Sequence, residues 1–87
     1  MTKTDIFLLA ILSGNDRFSL REIVVTMCEI NFDKPPSRIA LYKRLEVLKL
    51  QQMIRIEWQL GTKQYSISTK GLAVISKLTN QLIKAQL

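Results

Sequence analysis

Apolar and polar positions alternate along this 87-residue chain with a period that changes from helical to strand-like and back. The first stretch, Ile6-Phe7-Leu8-Leu9-Ala10-Ile11-Leu12, is apolar nearly all round a helix spanning about 4–13. Thr4 is the expected N-cap, Asp5 suits the positive end of the helix, and residues 1–3 are expected to fray. Ser13-Gly14-Asn15-Asp16 closes it, with Gly14 suited to a left-handed C-terminal position. So apolar a helix predicts one side on the domain core and another on a second surface, most simply a second subunit.

The next start signal is Ser19-Leu20-Arg21-Glu22, a capping box, with Phe18 and Ile23 placed for a hydrophobic staple. Ile23, Met27 and Ile30 fall on one face of this second helix, adjoined by Leu20 and Val24. Residues 31–36 form the turn. Its two prolines bring the chain in extended, and Ser37 is the N-cap of a third helix over 37–50. Leu41, Leu45 and Leu48 make its core face, while Arg38, Ile39, Tyr42, Lys43, Glu46 and Lys49 lie opposite.

From Met53 the period becomes two: Ile54, Ile56, Trp58 and Leu60 alternate with Arg55, Glu57 and Gln59, a half-buried strand over 53–59. A tip at Leu60-Gly61-Thr62-Lys63 turns the chain into a second strand over 64–68, with Tyr65 and Ile67 on one face. Thr69 caps a last helix over 70–86, where Leu72, Ile75, Leu78, Thr79 and Leu82 form a stripe widened by Ala73, Val74 and Ile83. The expected fold is one domain over residues 1–87, mainly α with a small β-hairpin (α+β), in the order α-α-α-β-β-α.

Charge adds direction to this outline. Residues 1–37 hold four basic and five acidic side chains, and residues 38–87 hold nine and two. The basic half opens at the third helix, which suggests a polyanionic partner; a merely soluble basic protein is the other reading. There is one cysteine and no histidine. Cys28 is expected to be a small buried residue of the second helix rather than a redox sensor. General acid–base catalysis would need histidine or a perturbed carboxylate pair, and neither CxxC nor HExxH spacing nor a glycine-rich phosphate loop occurs. The chain is therefore not expected to be an enzyme, to bind metal or cofactor, or to take a small-molecule ligand. Lys3 precedes the first apolar run, but Asp5 interrupts its start and no small-residue cleavage site follows, so a secreted precursor is not expected. The run Ile6–Leu12 is far too short to span a membrane, and a cytoplasmic, nucleoid-associated location is expected.

Three stretches resemble the winged helix-turn-helix domains of transcriptional regulators, most closely the PadR-like and MarR-like groups. The run from Arg44 to Ile54 is similar to the pattern in which a recognition helix ends Leu-x-x-x-Gly-Leu-Ile and becomes a strand, with Gln52 standing where that pattern has glycine. Tyr65-Ser66-Ile67-Ser68-Thr69-Lys70-Gly71 is similar to the Tyr-x-Leu-Thr-x-x-Gly segment that leaves the wing and opens the next helix. Ser19 to Ile23 fits the helix before the turn. The likeness covers about residues 4–86.

The resemblance implies double-stranded DNA as partner, with the third helix in a major groove. On it, Arg38 is the candidate for a bidentate contact to guanine, Ile39 for a thymine methyl or groove wall, and Tyr42 for a phosphate, sugar or thymine methyl. Lys43 is the phosphate candidate of the same helix and Ser37, its N-cap, is counted among the DNA-contacting residues, while Ser19 and Arg21 at the start of the second helix could hold a phosphate. Thr62 and Lys63 at the wing tip could reach the minor groove or adjacent backbone, with plain surface an equal reading of Lys63. Arg38, Lys43 and Lys49 also fit an ordinary solvated face, and Trp58 fits core or interface better than base stacking. The apolar terminal helices, through Ile6, Leu9, Leu72, Ile75, Leu78 and Leu82, are expected to pair across a homodimer. A dimeric repressor reading a pseudo-palindrome is the leading expectation. A winged-helix protein-interaction module, favoured by Ile39, Val47, Leu50 and the short wing, is the alternative, and an architectural or partition DNA-binding protein is a third.

Overall fold

A computed structural model of the protein describes residues 2–14, 17–30 and 36–86, with side chains through residue 81. The elements are α1 (Lys3–Leu12), α2 (Leu20–Glu29), α3 (Arg38–Leu50), β1 (Ile54–Gln59), β2 (Thr62–Ile67) and α4 (Thr69–Gln86), in the expected order. The turn expected over 31–36 lies outside the described residues apart from Pro36, as do Asn15 and Asp16 and the side chain of Leu82.

The first helix begins two residues earlier than expected. Thr2, not Thr4, is the N-cap: its Oγ1 accepts from the Asp5 amide at 3.1 Å, and Asp5 accepts from the Thr2 amide at 3.1 Å. The cap thus orders Thr2 and Lys3. The all-round apolarity of α1 is answered inside the domain. Leu8, Leu9 and Leu12 are fully buried, and α1 packs on α2, α3, α4 and β2. Most of the helix is covered within the domain, while Ile6, Phe7 and Ile11 stay half-buried. Ile23 and Met27 from α2, Leu41, Leu45 and Leu48 from α3, Ile54, Tyr65 and Ile75 complete the core. Each large apolar side chain buried there stabilises by about 1.5–3 kcal/mol. Two expectations on α2 fail. Cys28 is exposed, and Ile30 is exposed too, because the core-facing stripe ends at Met27.

Gln52 sits in the left-handed region, at φ 62°. The Met53 amide donates to the Leu48 carbonyl and the Gln52 amide to the Lys49 carbonyl, both at 2.9 Å. These two bonds form a Schellman motif, and Gln52 holds its C′ position, where glycine is the common choice. The motif turns the chain from α3 straight into β1.

The hairpin turn is shorter than expected. Only Leu60 (φ 50°) and Gly61 (φ 75°) lie between the strands. Two positive φ values make this the type I′ geometry whose twist suits a two-residue hairpin. Thr62 and Lys63 therefore belong to β2, where they face Gln59 and Trp58. A single antiparallel bridge, Phe18 to Tyr65, adds a third strand position through bonds of 2.9 and 2.7 Å. Trp58 is not in the core: it shares a face with Ile54 and Ile56, but burial fades outward along β1 and leaves it 70% exposed.

The entry into α4 joins both ends of the hairpin. Thr69 is already helical, and Ser68 does the capping. Its Oγ accepts from the Gly71 amide at 3.1 Å and donates to the Gln52 carbonyl at 2.6 Å. Its amide donates to the Met53 carbonyl at 3.0 Å. Gly71 packs so closely that an added Cβ would collide with the Met53 carbonyl oxygen. That contact is the physical content of the glycine closing the Tyr-x-Leu-Thr-x-x-Gly pattern.

Candidate nucleic-acid interface

The N-terminal half of α3 presents its polar face outward because Leu41, Leu45 and Leu48 hold the opposite face in the core. Ser37 caps the helix, its Oγ accepting from the Ala40 amide at 3.1 Å. Arg38 and Lys43 are exposed, Ile39 is 70% exposed and Tyr42 44% exposed. All four stand on the face assigned to them. An apolar hollow lined by Leu20, Arg38, Ile39 and Tyr42 separates α3 from the start of α2.

Beside it lies a cleft of about 450 Å³ lined by Ser19, Leu20, Arg21, Arg38, Gly61, Thr62 and Lys63. Five residues proposed from three separate stretches thus meet on one surface. At α2, the Ser19 Oγ accepts from the Glu22 amide at 3.2 Å, and the Ser19 amide donates to the Glu22 carboxylate at 3.1 Å. Ser19 therefore has no free amide for a phosphate, and the exposed Arg21 is the anion-seeking group at that helix end.

Lys63 is engaged inside the fold rather than at a tip. Its Nζ lies 3.0 Å from Glu46 Oε1 and 4.9 Å from the Tyr42 ring, with the Tyr65 ring at 5.8 Å. The hydrogen bond to Glu46 pushes the Lys63 ammonium above the ordinary lysine range. Burial pushes the Tyr65 phenol up as well, even with Lys63 close by. Weighed equally as a phosphate contact and as plain surface, Lys63 ties the wing to α3, because a two-residue turn places it within β2 and facing Glu46.

A second ion pair had no place in the sequence reading. Arg44 Nε and Nη2 donate to the two oxygens of Asp5 at 2.8 and 2.6 Å, joining α3 to α1. Asp5 is 2% exposed. Burial pushes its carboxyl up, but the Arg44 and Thr2 hydrogen bonds outweigh this and hold it below the ordinary carboxylate value. The signal available was a lone acid opening an otherwise apolar helix, and an arginine adjoining the leucine stripe of α3. Arg17 pairs with Glu57 at 3.5 Å on the surface. Among the described residues, Arg21, Arg38, Lys43, Lys49, Arg55, Lys70 and Lys77 remain as exposed cations without an ion-pair partner.

The residues proposed for dimer contacts separate. Leu9 is fully buried in the domain's own core, and Ile75 is buried there but borders the groove beside α4. Ile6 and Leu78 are half-buried, and Leu72 is exposed. A groove of about 320 Å³, lined by Ser13, Leu72, Ile75, Ser76, Thr79 and Asn80, runs between the end of α1 and α4. Among the described residues no group of His, Cys, Asp and Glu has a metal-binding arrangement, and no helix is long and apolar enough to cross a membrane.

No family model and no curated protein matches the sequence. Solved structures do match the fold. BpsR of Bordetella bronchiseptica, whose DNA binding is regulated by 6-hydroxynicotinic acid, superposes with a TM-score of 0.78 at 14% identity, over 98% of this chain and 60% of its own. YusO of Bacillus subtilis gives 0.80 at 16% identity, over 99% and 60%. F93 from STIV, a winged-helix DNA-binding protein, gives 0.71 at 19% identity, over 91% and 84%. The present chain thus spans about three fifths of the first two proteins and most of the third. It has the winged-helix fold, with the hairpin β1–β2 as the wing.

Proposed function

We propose that this winged-helix domain is a sequence-specific double-stranded DNA-binding protein that regulates transcription as a homodimer. The observation that carries the reading is the cleft: Arg21, Arg38 and Thr62, from three elements, line one surface beside the exposed Ile39, Tyr42 and Lys43. In this reading α3 lies in the major groove. Arg38 reads a guanine through its forked donors, Ile39 and Tyr42 contact groove wall or thymine methyl, and Lys43, Ser37 and Arg21 hold phosphates.

Dimerisation is proposed through α4 and the adjoining part of α1, with Leu72, Leu78 and Ile6 as the apolar contacts left outside the core. A two-fold dimer then meets half-sites about one helical turn apart. Occupancy of such an operator excludes other proteins from it, which is repression in its simplest form.

The test is selection of bound sequences from random DNA with the purified protein. A palindromic motif is the expected outcome, and no enrichment at low salt would remove the reading. Arg38→Ala should then lose about 1–3 kcal/mol of discrimination at one base pair of each half-site. Unchanged discrimination would take Arg38 out of base reading. Sedimentation at micromolar concentration tests the dimer separately, a monomer counting against it.

A further inference from the structure

The wing ends in apolar side chains. Leu60, in the turn, is fully exposed, and Trp58 on β1 is 70% exposed. Leucine is a costly choice at that turn twice over. Its φ of 50° is a left-handed value, and type I′ hairpins favour Asn, Asp or Gly there. Its side chain also stands entirely in water.

The neighbours of these residues give them a direction. Trp58 pairs across the hairpin with Lys63, and cross-strand partners share a face. Lys63 reaches Tyr42 and Glu46 of α3, so Trp58 lies on the face of the wing that looks toward that helix. Gly61 and Thr62, immediately after Leu60, line the cleft that also holds Arg38 and Arg21. The wing tip therefore continues the surface proposed above for DNA. Its lysine is engaged with Glu46, and Arg17 is paired with Glu57. What the tip offers a partner is apolar surface rather than charge.

We propose that Leu60 and Trp58 form an apolar wedge that enters the minor groove beside the segment read by α3. The inference rests on the DNA-binding reading of α3. Apolar side chains inserted at a base step partly unstack it and kink the duplex, and the cost is lowest at flexible pyrimidine–purine steps. The wedge thus adds sequence preference at flanking positions through deformability, without a hydrogen bond to a base. Trp58 packs on the sugars at the groove edge.

Trp58 is the chain's one tryptophan, so its fluorescence reports on the wing alone. The experiment titrates the intact protein with an end-labelled duplex carrying the selected site. It follows label anisotropy and Trp58 emission together, with acrylamide quenching at both end points. Emission should change with the same midpoint as anisotropy, and quenching of Trp58 should fall on binding. A rise in anisotropy with Trp58 unmoved overturns the wedge while leaving the α3 reading intact. No rise with any duplex removes both. Leu60→Asn keeps the turn geometry and deletes the wedge. It should lose about tenfold preference for a TA step in the flank. Flanking preference retained in that variant also overturns the proposal.

Discussion

Gln52→Gly tests how α3 hands the chain to the wing. Gln52 occupies the left-handed position of the Schellman motif, and this conformation costs an L-residue about 1–2 kcal/mol. Glycine removes that strain but loses more backbone freedom on folding, which costs about 0.5–1 kcal/mol. Nothing else is forfeited. The Gln52 side chain is exposed, and its bonds are made by its main chain: the amide to Lys49 and the carbonyl from Ser68 Oγ. The net expectation is a gain of about 0.5–1 kcal/mol. For a domain of this size that raises Tm by about 2–8 °C. The assay is reversible thermal unfolding followed by far-UV circular dichroism, with a urea midpoint that rises at unchanged m-value. Gln51→Gly is the control. At φ −82° its glutamine carries no such strain, so glycine should destabilise there. A Tm for Gln52→Gly equal to or below that of the parent, or equal shifts in both variants, would refute the reasoning.

Acid should weaken the α1–α3 contact. The Asp5 carboxyl is held below its ordinary value, so the stability it contributes is present above the unfolded carboxylate range near pH 4 and is lost as pH falls through the lowered folded value. Asp5→Asn should therefore unfold at lower temperature than the parent at neutral pH, with the gap closing on acidification; a gap that persists to the lowest pH would contradict the ion pair as its source. Lys63→Ala should leave the slope of log affinity against log salt unchanged, because Lys63 faces Glu46, whereas a slope shallower by about 0.9 would put Lys63 on a phosphate.

Much of the fold was legible because helix starts are written locally. Ser19-x-x-Glu22 and Ser37 cap where they were expected to, and the 3.5-residue spacing of Leu41, Leu45 and Leu48 places them fully in the core. The failures share a different character. Alternation tells which face of β1 Trp58 takes, but not how far along the strand the core extends. Turn length decided Lys63: two residues between the strands, not four, moved it from a tip to a partner of Glu46. The Phe18–Tyr65 bridge is one residue long and has no period to read. The Asp5–Arg44 pair joins residues 39 apart in sequence, and only the packing of α1 on α3 brings them together.

These pairings change what the charge asymmetry means. Arg44 and Lys63 are both counted in the basic half of the chain, yet both are held by the fold. Near the cleft the exposed cations are Arg21, Arg38 and Lys43. If Arg38 reads a base, two cationic phosphate contacts, Arg21 and Lys43, remain per protomer. A dimer would then show a salt slope of only about −4, well short of a strongly electrostatic binder. Discrimination in such a protein has to come from groove contacts, namely Arg38 with Ile39 and Tyr42 in the major groove and, under the wedge proposal, Leu60 and Trp58 in the minor. The exposed apolar residues that would argue for a protein-binding surface in isolation are, beside this cleft, the complement to a modest basic charge.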